Sequence, residues 1–330
     1  MLTKINTNID VFAQNFMTAK KAYTLNSSME ASACAAAFIG QTEPVNIEAL
    51  KWAKKHVRHS GGFLSTLGYG NASQVVAAVV AKDPNPEVAL SRIAEIHHAL
   101  DKKFMNSDYL VLAAVIIYQN CMPSEYDAVI ARTREIYKLL HSDHPMITGR
   151  EDLANCALMA ISSIDPKALA VRCEEDFQAL RKYFHHKNKV QFLACVTSVF
   201  DGTSPEKAEA VEQTRRILKE YGVNFDSNAY SIVAAIAMIV DKSDRSLVCG
   251  HIAEVSAKLK SIRGMGALGA GKRIRNMIAT AIVIDAYADG KDATAKNSAI
   301  SAIISAVIAA EIAAICAIIA ASAAASSASS

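Results

Sequence analysis

The stretch with the most chemical content is Gly264-Met-Gly-Ala-Leu-Gly-Ala-Gly-Lys-Arg. Gly264, Gly266 and Gly269 have the spacing of a dinucleotide-binding GxGxxG turn, and Gly266 to Lys272 fill seven of the eight positions of a phosphate-binding P-loop. A P-loop needs a Ser/Thr hydroxyl for magnesium where Arg273 stands, and both motifs need a preceding strand. The residues before the loop, Lys258 to Arg263, instead close an amphipathic helical pattern, so nucleotide hydrolysis is set aside. A simpler chemistry survives, because free amides of a glycine loop that opens a helix attract anions. No acidic residue lies between Glu254 and Asp285, whereas Lys258, Lys260, Arg263, Lys272, Arg273 and Arg275 do. Gly269, Gly271, Lys272, Arg273 and Arg275 are therefore the candidate anion-binding residues. The competing reading is an interhelical turn with solvated basic flanks.

Other reactive side chains do not assemble a site by spacing. His56 and His59, and again His141 and His144, stand three apart, but metal ions need three or four convergent ligands and no third is identifiable. Helix-end or surface histidines are expected, and no metal or cofactor. The cysteines (34, 121, 156, 173, 195, 249 and 316) stand singly with no CxxC pair, which fits reduced core thiols. No G-x-S-x-G elbow occurs and no catalytic residue is assigned.

The elements that position these residues follow from an internal pattern. An apolar segment built on a small residue recurs around Ala77, Ala113, Ala157, Ala194, Ala234 and Ala281, at spacings of 36, 44, 37, 40 and 47 residues, the size of a helical hairpin. Between these segments run longer amphipathic stretches, as in Ala208, Val211, Thr214 and Leu218, whose period marks one buried stripe. Proline breaks helix interiors but suits first turns. Pro44, Pro84, Pro86, Pro123, Pro166 and Pro205 all fall where a short helix hands over to a long one, and Pro145 at the opposite joint. Asp83, Ser124, Asp165 and Ser204 are the candidate N-caps. With helices also predicted over 9–23, 28–39 and 45–59, the fold class is all-α: about fifteen helices stacked as antiparallel hairpins, an open superhelix or a closed one. Residues 1–296 form one helical-repeat domain, and 297–330 an apolar helix with a Ser-rich tail.

That helix, from Asn297 to about Ala325, carries an isoleucine stripe that includes Ile304, Ile308 and Ile315, with Glu311 near its middle. As a membrane span it is marginal, since Glu311 costs about 2.5–3.5 kcal/mol and Ala and Ser contribute little. Docking or self-association through Ile304, Ile308, Glu311 and Ile315 is the favoured expectation, membrane anchoring the competing one. An unpartnered, buried Glu311 would have its pKa raised.

The amphipathic opening, the loop Gly61-Gly-Phe-Leu-Ser-Thr-Leu-Gly-Tyr-Gly, the hairpin end Leu139-Leu-His-Ser-Asp-His-Pro, the loop at 264–272 and the Ala/Ile/Ser tail together resemble the bacterial family catalogued as domain of unknown function 4003. The resemblance implies a bacterial, cytoplasmic protein and carries no activity. The N-terminus, which has no apolar run or cleavage site, also reads as intracellular.

With 35 Lys+Arg against 32 Asp+Glu, the net charge of +3 offers no global field for polyanions, so a general nucleic-acid role is disfavoured. Gly and Pro are sparse and 52% of residues are hydrophobic, which excludes disorder and collagen. The function expected first is a non-enzymatic helical scaffold with a protein partner or self-association. The second is binding of a phosphate-bearing ligand or anionic membrane surface through 258–275. An enzyme built on convergent helix ends would need a deep pocket of clustered His, Asp or Glu.

Overall fold

The computed structural model describes residues 1–23, 28–60, 65–69, 72–102, 104 and 106–289, so the expected C-terminal helix lies outside the described residues. Among the described residues there are fifteen α-helices and no strand. They form seven hairpins, each an outer helix followed by an inner one, with the outer helix the longer in all but the last. The pairs are α1 (Leu2–Ala22) with α2 (Ser28–Ala36), α3 (Ile47–Ser60) with α5 (Ser73–Lys82), and α6 (Pro86–Asp101) with α7 (Asp108–Asn120). Next come α8 (Tyr126–Asp143) with α9 (Leu153–Ala160) and α10 (Pro166–Leu180) with α11 (Lys187–Ser198). The last two are α12 (Ser204–Glu220) with α13 (Tyr230–Ile239) and α14 (Arg245–Leu259) with α15 (Gly271–Asp289). The short α4 (Thr66–Tyr69), which no sequence signal marks, is inserted in the second hairpin.

Alanine at the centre of each inner helix lets neighbouring backbones approach closely, and the six reference alanines are all essentially buried: Ala77, Ala113, Ala157, Ala194, Ala234 and Ala281 are at most 2% exposed. Inner helices pack in series, α5 on α7, α7 on α9, α9 on α11, α11 on α13 and α13 on α15. The outer helices make a matching series from α3 through α6, α8, α10 and α12 to α14. The stack does not stay open: α2 touches both α15 and α5, and α1 touches α14, α15 and α3, so the hairpins close into a ring.

Closure is tied at one seam. Asp285 of α15 accepts from Asn8 Nδ2 at 2.9 Å and pairs with Lys4 Nζ at 3.2 Å, both on α1. Ser32 Oγ lies 3.3 Å from Met265 Sδ, and Lys258 Nζ donates to Asn6 Oδ1 at 3.1 Å. These contacts also explain why α1 begins at Leu2, upstream of the predicted 9–23: its Thr- and Asn-rich start is a weak helix former, and packing overrides propensity.

The two faces of the ring differ because all outer helices point the same way. Acids favour helix N-termini and cations C-termini. Each inner-to-outer connection carries an acid (Glu43, Asp83, Glu125, Asp165, Asp201, Asp241), and outer helices end in bases such as Lys20, Lys21, Arg58, Lys219 and Lys258. Of the candidate caps, Asp165 accepts from Lys167 N at 2.9 Å and Ala168 N at 3.2 Å. At α12 the cap is Thr203, one residue before Ser204, in a reciprocal box with Glu206.

On the acidic face the carbonyls at inner-helix C-termini are capped by cations from neighbouring helices. Lys82 donates to Ala37 O at 2.9 Å, Arg132 to Ala160 O at 3.0 Å and Ile164 O at 2.7 Å, and Arg245 to Ala237 O at 2.9 Å. Lys207, only 6% exposed, donates to Thr197 O at 3.2 Å and pairs at 2.7 Å with Asp176, 1% exposed, which also accepts from Thr197 Oγ1. Burial pulls the Lys82 amine down to about 8.

Gly40, with φ +87°, sits against the seam: a Cβ there would lie 2.7 Å from Asp285 Oδ1. Gly40→Ala should destabilise by about 1–2 kcal/mol from the left-handed backbone alone, and more through the clash with Asp285. Asp285→Ala should cost about 1–3 kcal/mol by removing the partner of Lys4 and leaving buried Asn8 only its 3.5 Å bond to Ile282 O. Since the second change removes the clash, urea unfolding of the double variant should show a loss smaller than the sum.

Candidate functional site

A cleft of about 1210 Å³ opens on the basic face between the third and fourth hairpins. The α6–α7 connection and the start of α7 supply Phe104, Ser107 and Tyr109; α8 supplies Arg134, Glu135, Tyr137 and Lys138; and the turn into α9 supplies Gly149, Arg150 and Glu151. Helical spacing puts Arg134, Tyr137 and Lys138 on one face of α8, one turn apart. Phe104 meets Tyr137 edge-on at 5.0 Å, and Tyr137 stacks on His141 at 6.0 Å, so the aromatic wall is held by its own contacts. Arg134 is anchored by donation to Ala99 O near the end of α6.

A buried polar network lies behind this wall. Asp152 accepts from Gly149 N at 2.8 Å and from Gln191 Nε2 at 3.2 Å; Gln191 Nε2 also reaches Thr148 Oγ1 at 2.9 Å, and Thr148 Oγ1 donates to Leu140 O at 3.1 Å. Burial pushes the Asp152 carboxyl up to about 7, against the Gly149 amide that favours its charged form. Burial, reinforced by Glu151, Asp108 and Asp152, raises Tyr109; burial, then Cys156 and Asp152, raises Tyr137. Both phenols thus remain hydrogen-bond donors at neutral pH. Asp152 itself is 0% exposed and does not line the cleft, so its chemistry is structural: it holds the turn that presents Arg150 and Glu151.

The anion-binding candidates are not all turned outward. Arg275 is buried and donates to Ser256 O at 3.2 Å and Met265 O at 2.9 Å, capping α14 and pinning the glycine loop; burial lowers its pKa. Arg273 pairs with Asp226 at 2.8 Å. Lys272 is exposed. The loop amides are spent internally, Gly269 N and Gly271 N on Gly266 O and Ala270 N on Gly264 O. Gly269 is required by contact, since a Cβ would lie 1.9 Å from Gly264 O, and Gly271 by its φ of +80°. The other glycine-bearing loop, Leu67-Gly-Tyr-Gly, is on the same face, two hairpins away around the closed ring; its Gly70 lies outside the described residues. So do Ile304, Ile308, Glu311 and Ile315.

The paired histidines serve helices. His56 and His59 bond back to Trp52 O at 2.8 Å and Lys55 O at 2.6 Å, and His144 joins Glu174 at 2.6 Å across two outer helices. Among the described residues no three His, Cys, Asp or Glu side chains converge as metal ligands would. Cys34, Cys156, Cys173, Cys195 and Cys249 are buried, and burial raises the thiols of Cys34, Cys156 and Cys249, which suppresses the nucleophilic thiolate. For Cys195, 4.0 Å from Cys173, the hydrogen bond between the two sulfurs raises the pKa first and burial second.

Spacing alone did not reveal the cleft, because its residues come from three separate elements. One signal was present: Gln191 is the polar interruption of the apolar run Val190-Gln-Phe-Leu-Ala, and a buried amide demands a buried partner.

Fold and site together define a closed ring of helical hairpins that carries an aromatic and charged cleft. Residues 15–313 match the family described as "Protein of unknown function (DUF4003)", and the chain belongs to that family. No curated protein and no solved structure matches it. No helix among the described residues is long and apolar enough to cross a membrane.

A carboxyl whose pKa is raised on folding, from 3.8 to about 7, weakens the fold as pH rises between those values, because the unfolded chain releases the proton first. Relative to Asp152→Asn, the natural chain should therefore lose stability from about pH 4 to about pH 7, by an amount on the order of a few kcal/mol, and run parallel above it. Thermal midpoints across that range check this; a constant difference would contradict it.

Proposed function

We propose that the chain is a non-enzymatic helical-repeat module that holds a protein segment in the cleft between its third and fourth hairpins, working in the bacterial cytoplasm. The supporting observation is the composition of that cleft. Successive hairpins contribute Phe104, Tyr109 and Tyr137 as aromatic anchors, and Glu135, Lys138, Arg150 and Glu151 as charges of both signs around them. Aromatic anchors ringed by charge suit a polypeptide, which offers apolar side chains, amides and both charges together. The titratable group with the largest consequence near neutral pH, Asp152, is sealed from any ligand. The family likeness supports the bacterial setting.

A second reading, an anionic ligand or membrane surface at 258–275, is favoured by Leu268, which is fully exposed in the loop between exposed Arg263 and Lys272.

Site-specific photo-crosslinking in cells tests the first reading. A photoreactive side chain at position 138 should trap a protein, or a second copy of the chain, that the same group at position 242 on the opposite face does not. Tyr137→Ala, placed beside it, should lower the yield severalfold. Equal trapping from both positions, or none from 138, would reject the cleft as a protein-binding site.

A further inference from the structure

The modest net charge hides two windows without acids, flanking a sixth-hairpin connection that carries Glu220 and Asp226. No acidic residue occurs between Asp176 and Asp201, and none between Glu254 and Asp285. Both windows span outer-to-inner connections, in the fifth and seventh hairpins, and so open on the same face of the ring. Bases at the ends of α10 and α14 are accounted for by the carbonyls there. The bases that open the inner helices are not: α11 begins with Lys187 and Lys189, and α15 with Lys272 and Arg273 directly after its first residue, at helix ends that favour acids. Arg273 is used by its pair with Asp226 and Lys189 lies over the Phe192 ring, whereas Lys187 and Lys272 are exposed at helix starts that do not favour them.

The loop between α14 and α15 adds a different kind of feature. It is built and braced: Met265 is fully buried beneath Ser32, Arg275 holds the Met265 carbonyl, and the amides of Gly269, Ala270 and Gly271 close the turn. From this rigid base Leu268 projects without cover, flanked by exposed Lys260, Arg263 and Lys272. An aliphatic side chain held out in water by a braced loop, within a ring of cations, fits a surface that is anionic outside and apolar just beneath.

We propose that this face docks on a bilayer of acidic phospholipids, with Leu268 entering the headgroup boundary while exposed cations of hairpins five and seven, Lys182, Lys187, Lys258, Lys260, Arg263 and Lys272, meet lipid phosphates. The inference rests on the anionic reading of 258–275 and names its partner. Hairpins five and seven are separated by a whole hairpin, on the order of 20 Å at ordinary helix spacings, so the anion must be spread over a surface and not confined to one phosphate. A nucleic acid would satisfy the cations but leaves Leu268 without a role.

Co-sedimentation of the full chain with vesicles tests this. Binding is expected to phosphatidylcholine vesicles containing phosphatidylglycerol, not to phosphatidylcholine alone, and should weaken as salt rises. Leu268→Asp, and separately Lys187→Glu with Lys260→Glu, should each lower partitioning by about tenfold or more, with thermal unfolding unchanged because all three side chains are exposed. Equal binding to neutral vesicles, or full binding by Leu268→Asp, would overturn the proposal. If inositol hexakisphosphate binds in a Lys260-dependent manner but vesicles do not, the anionic reading stands and the bilayer falls; if neither binds, both fall. Tighter binding of a single-stranded oligonucleotide, indifferent to Leu268→Asp, would replace the bilayer by nucleic acid.

Discussion

Asp285 holds the two ends of the described chain together, and the architecture follows from that closure. Without the contacts of Lys4, Asn8 and the Gly40 turn to α15, the first and last hairpins would each expose an apolar flank. With them, every inner helix lies between two others, which is why runs such as Leu110 to Ile117 are buried on all sides although no membrane surrounds them. Closure also removes the need for capping ends.

A closed ring of hairpins brings the starts of all outer helices to one face and their ends to the other, so a local preference is repeated around the ring. Each helix on its own gains only about 0.3–1 kcal/mol from an acid at its start or a base at its end. Repeated around the ring, the preference places an acid at each inner-to-outer connection and leaves the outer-to-inner connections of the fifth and seventh hairpins without acids, while Asp101, Asp143, Glu151, Glu220 and Asp226 stand at those of the third, fourth and sixth. Net charge is blind to such local separation: +3 describes the molecule as a monopole and not the two acid-free windows.

Much of the fold was legible because it depends on period and punctuation. The reference alanines, the proline positions and the alternation of apolar with amphipathic helices all describe local conformational cost, and each landed on its element. What could not be read was where long side chains end. Arg275 lies three residues from exposed Lys272 and two from Arg273, yet helical rotation turns it inward to two carbonyls. The Asp176–Lys207 pair lay in view, since Asp176 occupies the stripe of Leu169, Cys173 and Leu180, but a charge on an apolar stripe announces only that a partner exists and not which one. The cleft was less legible still, because Phe104, Tyr137 and Glu151 meet only after three connections have been packed.

The two faces also differ in how much freedom they leave the chain. Inner-to-outer connections such as 83–85, 121–122 and 161–165 are short, fixed by proline or a capping acid, and closed off by Lys82, Arg132 and Arg245 reaching the last carbonyls of inner helices. Outer-to-inner connections such as 144–152 and 260–270 are longer, and their polar groups are satisfied within each loop or by one buried side chain behind it, Asp152 in the first case and Arg275 in the second. A loop that needs only one internal brace leaves its outward residues without a structural duty. Arg150 and Glu151 on one such loop, and Lys260, Arg263 and Leu268 on the other, are residues the fold uses little, and both sets face the same way. The acidic face secures the ring, and the basic face is where side-chain chemistry is left over for a partner.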